Sequence, residues 1–194
     1  GRPMTNPADE GVRHAVLRAA TRLIGERGVD GMTMRQIAEA SGVSTGTVNY
    51  HFRNKRGLVL AAIDSAGVSP TVSATATALG RIEALLSTFV LEDEERRAWW
   101  RFWVEATAQA ARDPDLRARQ QARLEAQRHE VEELVGLGIR AGELRPDLDP
   151  ALLAEPLLAL AHGLVLLQVT APDAVTVRRA ADALAGSLRE LAAR

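Results

Sequence analysis

Gly42-Val43-Ser44-Thr45-Gly46 has the G-x-S-x-G spacing that presents a nucleophilic serine in many hydrolases. An elbow of that kind needs a strand before the serine, so that a tight turn lifts the hydroxyl above a sheet edge. The residues before Ser44, MRQIAEAS, carry apolar groups at helical spacing instead. His51 follows seven residues on, and no later strand offers another triad partner. A serine hydrolase using Ser44 therefore stands as an alternative, beside a helical adaptor whose basic head binds protein. Gly42 to Lys55 reads instead as the turn and second helix of a DNA-reading unit, and the chain is not expected to be an enzyme.

Other clusters invite chemistry. Trp99, Trp100, Phe102 and Trp103 hold four of the seven aromatics, and Trp99 and Trp103 share a helix face with Glu105 and Gln109 further along. Aromatic faces beside a carboxylate suit a cation or quaternary amine; a packed core is the plain reading of the same residues. Phe89, Trp99, Trp103, Glu105, His162 and Gln168 are the candidates for a small-molecule site. His162, on an apolar stretch, also reads as a hydrogen-bonded core histidine. His129 and Glu133 lie one turn apart without a third ligand at suitable spacing, so that segment reads as a solvated charged face. No metal and no cofactor is expected. The absence of cysteine removes disulfides, thiolate sites and cysteine nucleophiles together.

These groups must be positioned by helices. Val12, Val16, Ala19, Ala20, Leu23 and Ile24 form one face of a first helix that stops at Gly28, a residue suited to a left-handed helix end. Thr33-Met34-Arg35-Gln36 has the capping-box pattern and opens a short second helix through Ala40. Gly42 permits a sharp turn, Ser44 or Thr45 caps a third helix reaching about Phe52, and Asn54 caps a fourth. Ala38, Gly42 and Val48 are spaced to hold two helices at the roughly 90–120° angle of a helix-turn-helix. That leaves Thr45, Gly46, Thr47, Asn49, Tyr50 and His51 facing outward, small or hydrogen-bonding as a groove requires. Further helices are expected near 78–90, 93–112, 114–141, 150–170 and 173–192, with Ser69 to Ala78 breaking the pattern, Asp149 capping and Pro156 kinking the fourth of them.

At this point the chain resembles a known family. TMRQIAEASGVSTGTVNYHFRNKRGL, Thr33 to Leu58, is similar to the DNA-binding domain of TetR-type one-component regulators, over about residues 12–62. RRAWWRFWVEATAQAARDPDLRARQ resembles the C-terminal domain of the choline-responsive, BetI-like branch. The first resemblance implies that Thr45, Gly46, Thr47 and Asn49 approach base edges, with Ser44 beside them at the helix start. It implies that Thr33, Tyr50, His51, Lys55 and Arg35 hold phosphates. Asn49 stands where many relatives carry an aromatic, and asparagine can pair bidentately with adenine. The resemblance further implies a repressor released from an inverted-repeat operator by an unknown small-molecule inducer.

A lone helix-turn-helix makes few contacts, so such modules dimerise across a two-fold site. Val177, Ala181, Leu184, Leu188 and Leu191 form a 4-3-4-3 stripe on the last helix. The helix before it is apolar nearly all round, with Leu160, Gly163, Leu164 and Leu167 as further candidates for a homodimer seam. The expected fold is all-α: a three-helix DNA-binding domain over residues 8–54, then a larger helical ligand-binding and dimerisation domain over 55–194. Residues 1–66 hold nine Arg and Lys against six Asp and Glu, and the remainder fifteen against nineteen, a basic head on an acidic body. GRPMTNPADE lacks the apolar core of a signal peptide, and Gly1 to Pro3 before Met4 read as residues left by expression. Ala151 to Ala171 contains Glu155, Pro156, His162 and Gln168, which suits a buried helix better than a membrane span. The cytoplasm is the expected compartment, with double-stranded DNA and a second copy of the chain as partners.

Overall fold

The computed structural model describes residues 7–65 and 76–192. Most of the expected break from Ser69 to Ala78 lies outside the described residues, as does the segment before Pro7. The fold is all-α. Nine helices follow one another among the described residues: α1 (Pro7–Arg27), α2 (Met34–Ser41), α3 (Thr45–Phe52), α4 (Lys55–Ser65), α5 (Ala78–Ser87), α6 (Glu94–Ala110), α7 (Pro114–Arg140), α8 (Pro150–Thr170) and α9 (Ala174–Leu191).

Local chemistry sets most of the boundaries. Gln36 N–H donates to Thr33 Oγ1 at 3.2 Å while Thr33 N–H donates to Gln36 Oε1 at 2.9 Å, so two orphan amides at the start of α2 are satisfied reciprocally. Gly42, at φ 71°, ends that helix in the left-handed region that glycine tolerates. The Asn54 side chain accepts from Gly57 N–H at 2.8 Å and opens α4. Asp149 and Asp173 cap α8 and α9 in the same manner.

The helices divide into two compact units, residues 1–67 with 98–120 and residues 68–97 with 121–194. In the first, Val16, Ala20 and Ile24 of α1 meet Ile37 and Ala38 of α2, Val48 and Phe52 of α3, Leu58 and Ala62 of α4, and Phe102 and Ala106 of α6 in one core. The crossing of α1 and α6 is close enough to require a glycine. A Cβ on Gly25 would lie 2.9 Å from the Ala98 carbonyl oxygen and 3.0 Å from the Phe102 nitrogen, both backbone. Ion pairs fasten α4 to the first turns of α7, Arg56 to Asp113 and Asp115, and Asp64 to Arg119. The Leu116 amide, then the Arg56 guanidinium, hold the Asp113 carboxyl below the usual carboxylate range. Because α4 packs with α1 and α3, this grouping divides the chain elsewhere than the expected boundary at residue 54.

In the second unit Ile82, Leu85 and Leu86 of α5, Val131 and Val135 of α7, Ala154, Leu157, Ala161 and Val165 of α8, and Ala180, Leu184 and Leu191 of α9 are buried. By length and composition α8 could cross a bilayer; its inner edge packs in this core instead, and α9 lies against it.

Candidate functional site

The outward flank of α3 is the candidate nucleic-acid interface. Val48 and Phe52 point into the core, which leaves Thr45, Gly46, Thr47, Asn49 and Tyr50 on the accessible side. Tyr50 is 78% exposed, an aromatic ring held largely in solvent. A Cβ on Gly46 would meet only Ser44 Oγ, at an ordinary 3.6 Å, so packing within the unit does not demand a glycine there. Arg35 is exposed and Thr33 is occupied as the cap of α2. Lys55 begins α4 and donates from Nζ to the Met32 carbonyl at 2.9 Å, which pins the loop before α2.

Ser44 is not a nucleophile. It is the N-cap of α3, its Oγ accepts from Thr47 N–H at 3.0 Å, and the element preceding it is a helix. His51 departs from its expected outward position. Its side chain is 7% exposed and its Nε2 lies 3.4 Å from Asp9 Oδ1 of α1. The imidazole is held edge-on beside Tyr50, with ring centroids 5.2 Å apart, and tilted against Phe52. Arg13, also on α1, places its guanidinium 5.4 Å from the centre of the Phe52 ring. Asp9 and Arg13 were missed in the sequence because they lie some forty positions from their partners.

The six small-molecule candidates fall three to a unit: Trp99, Trp103 and Glu105 in the first, Phe89, His162 and Gln168 in the second. Trp103 is buried and meets the buried Trp100 edge to face, while Trp99 is half-buried beside Phe102. Glu105 accepts from Gln109 Nε2 at 3.0 Å and lies against the Gly28 turn. Gln168 is 1% exposed and committed to the backbone. Its Nε2 donates to the Phe89 and Leu164 carbonyls, and its Oε1 accepts from Leu91 N–H at 2.9 Å. It is a staple for the turn after α5, and its place among the ligand candidates is corrected on that ground.

His162 meets Phe89 edge to face, and its Nδ1 lies 2.8 Å from the Leu158 carbonyl, which fixes Nδ1 as the donor. Burial, with the charge of Arg123 adding to it, lowers the His162 pKa from 6.5 against the opposing pull of that carbonyl. The unfolded chain therefore takes up this proton first as the pH falls. The folded state loses stability below about pH 6.5, and the loss levels off once the folded imidazole also titrates. Thermal midpoints of wild type should fall more steeply between pH 7.5 and 5.5 than those of His162→Gln. Parallel slopes would contradict the assignment.

The outer edge of α8 carries Leu152, Leu160, Leu166 and Leu167, of which Leu152 and Leu167 are 75% and 60% exposed. Gly163 lies open among them. Leu164, Val177, Ala181 and Leu188 are half-buried. Leu184 and Leu191 turn into the core of their own unit, because α9 lays that edge against α5 and α8, so these two leave the set of seam candidates. His129 is exposed and lies 3.4 Å from Glu125 and Glu132 on α7, a charged surface turn.

The family described as bacterial regulatory proteins, tetR family, matches residues 16–62, and the BetI-type transcriptional repressor C-terminal family matches residues 78–193. The chain is 36% identical over 109 residues to the transcriptional repressor AcnR of Corynebacterium efficiens, a match covering 55% of each chain, about half the length of that relative. It is 27% identical over 180 residues to AcnR of Corynebacterium glutamicum, covering 92% of this chain and 93% of that one. A transcriptional regulator from Saccharomonospora viridis, solved in complex with choline, has the same fold at a TM-score of 0.79 and 23% identity, covering 95% of this chain and all of the other. With both stretches matched in the order in which the helices occur, the chain belongs to the TetR family of transcriptional regulators, with a C-terminal part of the BetI type.

Proposed function

We propose that the protein is a cytoplasmic, homodimeric repressor that binds an inverted-repeat operator and is released by a small-molecule ligand. The observation that carries this reading is the two-sided character of α3: apolar pegs inward, small and hydrogen-bonding groups outward. In this division of labour residues 8–54 read DNA, and residues 55–194 hold the ligand and the second copy. Thr45, Gly46, Thr47 and Asn49 approach base edges, with Ser44 beside them at the helix start, and Gly46, which packing leaves free to vary, lets the start of α3 lie close to the duplex. Thr33, Arg35, Tyr50 and Lys55 contact phosphates; the Lys55 cation stands at the first turn of α4, the positive end of the helix dipole. His51 reaches the DNA through its neighbours.

A dimer sealed along the outer edge of α8 and the half-buried edge of α9 places two recognition helices on one duplex. Successive major grooves on one DNA face lie about 34–36 Å apart. A ligand that binds better when the helices miss that spacing shifts the dimer off DNA by differential affinity. Choline in the neighbouring regulator, together with half-buried Trp99, makes an organic cation the first ligand to test.

Selection of sites from random duplexes tests the reading directly. An enriched inverted repeat supports it, and no enrichment at moderate salt overturns it. On the enriched site Lys55→Ala should weaken all sequences alike and shallow the salt dependence by about one counterion. Thr47→Ala and Asn49→Ala should relax preference at particular base pairs, by about 1–3 kcal/mol of discrimination each. Uniform weakening by all three, read across a library of single-base variants, would contradict the base-reading role.

A further inference from the structure

A helix of eight residues is too short to hold its shape by its own hydrogen bonds, so α3 takes its orientation from what touches it. Val48 and Phe52 anchor its inner side. At its last turn the contacts are polar and aromatic. Asp9 Oδ1 lies 3.4 Å from His51 Nε2, and the His51 ring stands edge-on to Tyr50. The imidazole is thus a wedge, with a carboxylate on one side and the most exposed aromatic of α3 on the other. Arg13 steadies the same end by covering Phe52. Asp9 itself lies in the first turn of α1, where the helix N-terminus favours a carboxylate.

We propose that Asp9 is a positioning residue for DNA recognition: through His51 it sets where Tyr50 stands on the outward flank of α3. This rests on the DNA-binding reading above. The sign of the effect is diagnostic. A carboxylate near a polyanion repels it, so plain electrostatics makes removal of Asp9 strengthen binding. A positioning role makes removal weaken binding, because a Tyr50 ring released from its wedge must be ordered again on the duplex.

The experiment measures affinity for the duplex enriched by site selection, at one salt concentration, with thermal midpoints of the same preparations. Asp9→Ala and the isosteric Asp9→Asn are expected to weaken binding about five- to tenfold, with midpoints within about 2 °C of wild type. Asp9→Glu is expected to recover most of the loss. In a Tyr50→Ala background the same changes at Asp9 are expected to cost nothing further, which separates an effect through Tyr50 from a general loosening of α1. Stronger binding by Asp9→Asn, or an undiminished loss in the Tyr50→Ala background, would overturn the proposal. A wild-type protein that enriches no duplex fails the DNA-binding reading itself, a result visible before any variant is made.

Discussion

Leu167→Glu is expected to leave each protomer folded, abolish the dimer, and weaken binding to a duplex with two half-sites by roughly 10²–10⁴-fold. Leu167 is 60% exposed, among Leu160, Gly163 and Leu166 on the outer edge of α8, so the change leaves no hole in the protomer. Across a two-fold axis, however, two such carboxylates would enter one apolar seam, where an unpaired charge loses its hydration with no compensation. Losing the second protomer makes the second half-site contact bimolecular, and the lost effective concentration sets the size of the effect. Light scattering reads the mass, and anisotropy on full and half sites reads the affinity. Half-site binding should stay at the wild-type level. A dimeric variant, or a monomer that binds the full site as tightly as wild type, would remove α8 from the interface.

Gln168→Leu is expected to reduce unfolding stability by about 2–6 kcal/mol. Leucine is no smaller than glutamine, so cavity formation contributes little. What is lost is the partner of two buried backbone groups, the Phe89 carbonyl and the Leu91 amide, each costing about 1–3 kcal/mol when stranded. Against a typical total of about 5–15 kcal/mol that is a large share. The turn after α5 carries Phe89, whose ring backs His162, so the loss also loosens one of the candidate ligand groups. Urea denaturation measures the change, and a shift under about 0.5 kcal/mol would show that the staple does not hold the turn.

What was legible in the sequence is what acts over one turn of chain. The Thr33–Gln36 box, the Gly28 and Gly42 helix ends and the Asn54 and Asp149 caps are three- and four-residue devices, and each occurs where its residues stand. The outward set on α3 followed from the same short-range logic, with His51 as the exception: it lies three residues after the inward Val48, with Asp9, 42 positions back, 3.4 Å away. Gln168 is the same case at greater range: its partners lie 77 and 79 residues back, and no local pattern distinguishes a staple from a ligand group. The run WWRFW on α6 points aromatic groups around the helix, so spacing could not say which would be buried. An all-round apolar α8 has no periodicity to separate its inner edge from its outer one, and the stripe on α9 merged residues that packing later divides.

Lys55 is the one lysine in the chain, set in the first turn of α4 with its amine on the Met32 carbonyl. Every other cation is an arginine or histidine. Acyl donors that attack side-chain amines therefore have a single target, and acetylation there would neutralise one positive charge per chain without touching the remaining basic side chains. The same uniqueness lets a protease that cuts only after lysine address this one turn of helix.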